Sequence, residues 1–284
     1  MATASSCPEA YANACSQLGI TENATFISAL SNTSPTTWRA EKFLTSPEVR
    51  AISAGLIGNQ TITCLDLARA HIGLTDAVGV LINALQQNIG ITSLDLSEND
   101  LKDDNVPLVS TLFEFMPALY VCKLSNNMFS AGSIVKLAQA AQRGKTKAFD
   151  FIGNETTTAT SGDALAATCR EGGLTSLAMQ LPPAASEAFI NKLDTCALRV
   201  LKLSHAKLPS AIAVRLAAWL HGSPALVSLD LSHCYIGGAA GSALMTAVAN
   251  NTVLTALNLA HNALGVTGGY ALASCLAVMP SCNS

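Results

Sequence analysis

Eight segments of this chain share one spelling, L-x-x-L-x-L-x-x-N/C-x-L, and a chain that repeats itself at a nearly fixed period has little choice but to stack its units. They begin at Ile62, Ile91, Leu119, Thr146, Leu174, Leu198, Leu226 and Leu254. The step from one to the next is about 28 residues, within the leucine-rich range, and only the step from Leu174 to Leu198 is clearly shorter. LVSLDLSHCYI and LTALNLAHNAL, from Leu226 and Leu254, show the pattern most plainly. TKAFDFIGNET, from Thr146, fills its slots with Phe149, Phe151 and Asn154.

The spelling has a physical reading. The fourth and sixth positions, such as Leu229 and Leu231, point to one side of a short strand and form the core, while their neighbours point to the other side. The ninth position is Asn or Cys in Asn99, Asn127, Asn154, Cys234 and Asn262. There the chain leaves the strand, and a side-chain amide can bond backbone groups that would otherwise be unpaired. Ala70, Pro182 and Ala206 depart from this rule, so their bends are held differently. After each bend the apolar residues recur at three and four spacing, as in TDAVGVLINALQQN from Thr75 and SAGSIVKLAQAAQRGK from Ser130, which predicts a helix.

A strand-and-helix unit of this length resembles the ribonuclease-inhibitor class of leucine-rich repeat. The resemblance covers residues 62–284 and implies an α/β solenoid, a curved horseshoe with parallel strands on its concave face and helices on its convex face. Residues 1–61 lack the motif and are expected to form an N-terminal helical cap. In it, SPEVRAISAGLIGNQ predicts a helix with Ser46 as N-cap and Pro47 in its first turn, and Glu41, Lys42, Glu48 and Arg50 supply polar cover.

Composition removes several classes of function. The chain has 284 residues, 50% hydrophobic and 12% charged, with net charge −3, which argues against disorder and against an electrostatic grip on nucleic acid. No apolar run approaches the roughly 20 residues of a membrane span. The opening residues resemble neither a secretory signal nor a transit peptide, so a cytoplasmic protein is expected. The nine cysteines show no metal-ligand spacing, and those inside the repeats read as small apolar core residues. RGKTK, from Arg143, lacks the first glycine of a phosphate loop, because position 139 is Gln. No nucleophile elbow or catalytic carboxylate pair is present, so no enzyme and no cofactor are expected.

Two rows of residues are candidate binding positions. On the concave face the fifth position reads Asp66, Asp95, Lys123, Asp150, Ala178, Lys202, Asp230 and Asn258, a mixed-charge surface suited to a protein partner. His205, His233 and His261 share the eighth position of three repeats. Imidazoles serve metal binding and pH response, but no carboxylate or cysteine joins the column, so structural hydrogen bonding is the expected role.

The closing stretch 231–284 holds no Asp, Glu, Lys or Arg, and no polar segment closes the solenoid after Pro280. An uncharged, uncapped end is expected to be covered by a partner, making the chain a non-catalytic scaffold subunit of a larger cytoplasmic assembly. Similar repeats in ciliary axonemes imply a cytoskeletal or ciliary setting. The alternatives are a GTPase regulator resembling the Ran GTPase-activating protein, whose acidic tail is absent here, and an inhibitor-type or receptor-type ligand-binding repeat protein.

Overall fold

A computed structural model describes residues 6–41, 43–154, 159–171 and 173–278. Lys42 and Pro280 therefore lie outside the described residues. The chain divides into two compact units between Thr146 and Lys147. The first contains α1 (Cys7–Leu18), α2 (Ala24–Leu30), β1 (Thr36–Arg39), α3 (Ser46–Leu56), β2 (Ile62–Asp66), α4 (Val78–Gln86), β3 (Ser93–Asp95), α5 (Val106–Phe115), β4 (Val121–Lys123) and α6 (Ala131–Gln142). The second contains β5 (Ala148–Asp150), α7 (Ala159–Glu171), β6 (Ser176–Ala178), α8 (Pro183–Ile190), β7 (Val200–Lys202), α9 (Ser210–Gly222), β8 (Ser228–Asp230), α10 (Gly238–Asn250), β9 (Ala256–Asn258) and α11 (Gly265–Val278).

Within each unit every strand pairs in parallel with the next, and between successive strands a helix carries the chain back. All eight repeats thus supply a strand, and each unit has the alternating strand-and-helix fold of an α/β leucine-rich-repeat solenoid. The repeat that begins at Leu174 is the shortest because its helix, α8, makes little more than two turns. The fourth and sixth positions form the core as expected: Leu65, Leu67, Leu94, Leu96, Leu201, Leu203, Leu229 and Leu231 are at most 1% exposed. Each such leucine contributes about 1.5–3 kcal/mol. Phe149 and Phe151 fill the same slots in β5, their rings stacked at 5.1 Å.

Bends are held by buried amides. Asn127 Nδ2 donates to Leu96 O (2.9 Å) and Leu124 O (3.0 Å), and its Oδ1 accepts from Asn99 N (3.0 Å) and Leu101 N (3.1 Å). Asn99 and Asn262 repeat the arrangement. Cys234 stands in the slot with its Sγ 3.0 Å from Leu203 O. Where alanine replaces the amide, backbone bonds close the turn, from Ala70 N to Leu67 O and from Ala206 N to Leu203 O. A second set lies three positions before the start of a repeat. Asn88 Nδ2 donates to Leu56 O and Asn59 O, while its Oδ1 accepts from Gly90 N and Ile91 N. Asn251 does the same around Leu220, Ser223, Val253 and Leu254.

The segment before residue 62 is helical, but it also holds a strand that the leucine spelling does not reveal. In β1, Trp38 stands opposite Leu65 and Arg39 opposite Asp66, so the strand occupies the slot of a further repeat. Trp38 and Ala40 take the leucine positions. Trp38 packs against Phe26 (4.5 Å between centroids), which meets Tyr11 (4.8 Å). The helix expected at Ser46 is present as α3, yet its N-cap is Thr45: Glu48 Oε2 accepts from Thr45 N and Oγ1, both at 2.8 Å. Ser46 turns its hydroxyl to Asp76 instead. Gly144, inside RGKTK, serves packing, since a Cβ there would lie 2.3 Å from Phe113 O.

Two consequences are measurable. Asn127→Ala strands two carbonyls and two N–H groups in the core, so unfolding in urea should show a loss of about 3 kcal/mol, against less than about 1 kcal/mol for the exposed Asn258→Ala. Burial pushes the Tyr11 phenol up to about 12, although Asn23 N–H donates to its oxygen. Its ordinary value is near 10, so the native state keeps a proton that the unfolded chain releases between those limits. The stability Tyr11 lends is present below about pH 10 and is lost as pH rises toward 12, by up to about 1.4 kcal/mol per unit. The stability gap between wild type and Tyr11→Phe should accordingly shrink from about pH 9 to about pH 11.

Candidate functional site

The fifth-position row lies where the register places it. Asp66 pairs with Asp95 and Asp95 with Lys123 in the first unit. In the second, Asp150 leads through Ala178 and Lys202 to Asp230 and Asn258. Strand spacing makes each residue the side-by-side neighbour of the next.

These side chains first serve their own fold. Asp66, Asp95, Asp150, Asp230 and Asn258 each turn Oδ1 to the N–H two residues on, at 2.9–3.1 Å, closing the strand end in a side-chain turn. The second oxygen looks along the row. Asp95 Oδ2 meets Lys123 Nζ at 3.0 Å, Asp66 Oδ2 meets Arg39 Nε at 3.3 Å, and Asp230 Oδ2 accepts from Asn258 Nδ2 at 3.1 Å. Burial alone would raise the Asp230 carboxyl. Donors on Ser232 and Asn258, with the Lys202 charge, outweigh burial and hold it below the usual carboxylate range. Within each unit the row is thus polar and partly paired, Asp66 with Arg39 and Asp95 with Lys123 in the first and Asp230 with Asn258 in the second.

The histidines form a true column. His205 and His233 stack with centroids 4.2 Å apart and planes 9° apart, and His233 and His261 at 4.1 Å and 13°. All three have left-handed backbone, with φ of 61°, 57° and 57°. Arg69, Glu98 and Asn126 hold the same position and conformation in the first unit, where Arg69 Nε binds Glu98 Oε2 at 3.0 Å. The eighth position is therefore a turn that projects polar side chains side by side. Parallel rings aim their nitrogen lone pairs in parallel, so two neighbours cannot converge on one ion. Among the described residues, no group of three or more His, Cys, Asp or Glu is placed to hold a metal ion. No described helix is long and apolar enough to cross a membrane.

Beside the column the second unit carries a shallow groove that the sequence did not announce. Pro183, Lys207, Leu208, Pro209, Ser210 and Tyr235 line it, and it adjoins a second hollow at Pro182, Gln180 and His205. Tyr235 is 71% exposed. At the end of this unit the repeat pattern also loses its cover: Leu257, Leu259 and Leu264 are only half-buried, and Val266 and Tyr270 are 75% and 73% exposed.

Stacking shapes His233 chemically. The ring is held below the ordinary histidine range first by burial between its neighbours and then by the charges that His261 and His205 acquire. An NMR titration should show His233 protonating at lower pH than a free histidine. In His205→Ala/His261→Ala its midpoint should move back up, since both causes are removed.

A family model described as Leucine Rich repeat matches residues 58–80, 222–245 and 250–273. No curated protein matches the sequence. Among solved structures, the leucine-rich repeat-containing protein LegL7 of Legionella pneumophila is 19% identical, over 81% of this chain and 74% of that one, with a TM-score of 0.55. An internalin of Listeria monocytogenes is 17% identical over 81% and 68%, with a TM-score of 0.47. The tropomodulin C-terminal domain of Caenorhabditis elegans is 10% identical over 74% and 90%, with a TM-score of 0.35.

Proposed function

We propose that this leucine-rich-repeat protein is a non-catalytic scaffold subunit of a larger cytoplasmic assembly, joined to a protein partner through its last described repeat. A cytoskeletal or ciliary assembly is the setting implied by the sequence resemblance, and the length of the strand-and-helix units favours the ribonuclease-inhibitor class. The observation that carries the reading is the exposure of Leu257 and Leu259. The same two positions in the repeats of β2 and β3 are at most 1% exposed. Half-exposed core leucines, with Val266 and Tyr270 beside them, make an apolar surface with no charge to oppose docking.

The fifth-position row and the groove at Tyr235 are the second surface of this proposal. Because Asp95 and Lys123 already answer each other and Lys202 lies beside Asp230, a partner there gains specificity from matching an alternating pattern more than affinity from net charge.

Size fractionation of a gentle extract tests the reading, combined with hydrogen exchange on the native particle and on the purified chain. The expected result is migration well above a single chain, with amides of β9 and α11 exchanging at least about ten-fold more slowly in the particle. Migration as a single chain, or a particle in which those amides stay unprotected, overturns it.

A further inference from the structure

Away from both surfaces, α7 and the turn that precedes β7 bring two cysteines together. Cys169 lies near the end of α7 and is 1% exposed. Cys196 follows a single 3-10 turn, Leu193–Thr195, whose closing bond runs from Cys196 N to Leu193 O at 2.9 Å. Its Sγ sits 3.7 Å from Ala166 O, a carbonyl one turn before Cys169 on α7, and 3.8 Å from Lys192 O. The first contact sets Cys196 Sγ against the turn of α7 that leads to Cys169, and the two thiols perturb each other's ionisation. The side chain of Cys196 is half-buried, so one member of the pair reaches water and the other does not.

Cys122 and Cys234 make the contrast. Both are packed in the core, where burial pushes their thiols up and makes them inert. Cys196 goes the other way. The hydrogen bond from Cys169 lowers it, burial opposes, and Arg170 lowers it further, although Asp194 pulls the other way. Cys169 is raised, by its contact with Cys196 and by burial.

We propose that Cys169 and Cys196 are a redox site, at which a hydroperoxide oxidises Cys196 and Cys169 then closes a reversible disulfide. In the first step the Cys196 thiolate attacks the outer peroxide oxygen. The O–O bond breaks, an S–O bond forms, and the leaving alkoxide or hydroxide takes a proton to leave an alcohol or water. Sulfur is oxidised to the sulfenic acid and the peroxide is reduced. In the second step Cys169 sulfur attacks the Cys196 sulfur, the S–O bond breaks, and the departing hydroxide takes the Cys169 proton as water. The product ties the end of α7 to the segment entering β7, adding a covalent link to the ion pair between Lys192 and Asp163.

The test uses the full reduced chain and hydrogen peroxide near equimolar amount, quenched with an alkylating reagent and digested without reductant. Trypsin isolates Cys169 in the peptide ending at Arg170 and Cys196 in the peptide 193–199. The expected result is a linked pair of these peptides, lighter by two hydrogens than their sum and separated again by dithiothreitol. It should form at least about ten-fold faster than any oxidation of Cys122. In Cys169→Ala a sulfenic-acid probe should accumulate on Cys196. Wild-type mapping stands alone if that variant does not fold. Sulfinic acid at Cys196 beside an intact Cys169 thiol, or modification of Cys122 at an equal rate, overturns the proposal.

Discussion

Short parallel strands joined by sharp bends leave backbone N–H and C=O groups inside the molecule at every turn, and the structure depends on pairing them. One asparagine answers four such groups at once. Asn127 satisfies two carbonyls with its amino group and two N–H groups with its oxygen, drawing on its own repeat and on the one before it. It therefore works as mortar between repeats as much as a support for its own bend. Leucines supply most of the attraction and rule out a one-residue slip; the amides hold the bends themselves. The second line at Asn59, Asn88 and Asn251 does the same where helices return to strands, so each of these repeats is pinned where its strand begins.

That economy extends to the exposed row. An aspartate at the fifth position commits one oxygen to the local turn and keeps the other for a neighbour. Surface pairs of this sort contribute little to stability, roughly 0–1 kcal/mol. A surface already paired presents a pattern instead of a field. The histidine column extends the same logic, with three flat, stacked rings in place of paired charges.

Strands, helices and the ninth-position asparagines were legible because their chemistry imposes a period, and Leu94, Leu96 and Asn99 show it without ambiguity. Strand β1 was not, since Trp38 and Ala40 fill leucine slots with residues the spelling does not contain. The N-cap moved from Ser46 to Thr45 because both hydroxyls qualify in sequence and only Glu48 chooses between them. The fifth-position row was legible as a list of positions; its pairing was not, as Arg39 belongs to the strand the pattern missed. Asn88 escaped for want of a distinctive spelling around it. Cys169 and Cys196 belong to different repeats with no motif to link them, and only the close approach of α7 to a single turn joins them.

In a stack of repeats, each unit is held by its own contacts and by those with its two neighbours. The half-buried leucines of β9 belong to a unit with one such neighbour among the described residues. With those contacts alone, its local free energy of opening is the sum of fewer contributions, the low end of a stability gradient that climbs toward β7 and β8. A repeat held that way opens first on warming and closes last on folding. Covering Leu257 and Leu259 would flatten that gradient, so occupancy at one end would be felt as rigidity several repeats away.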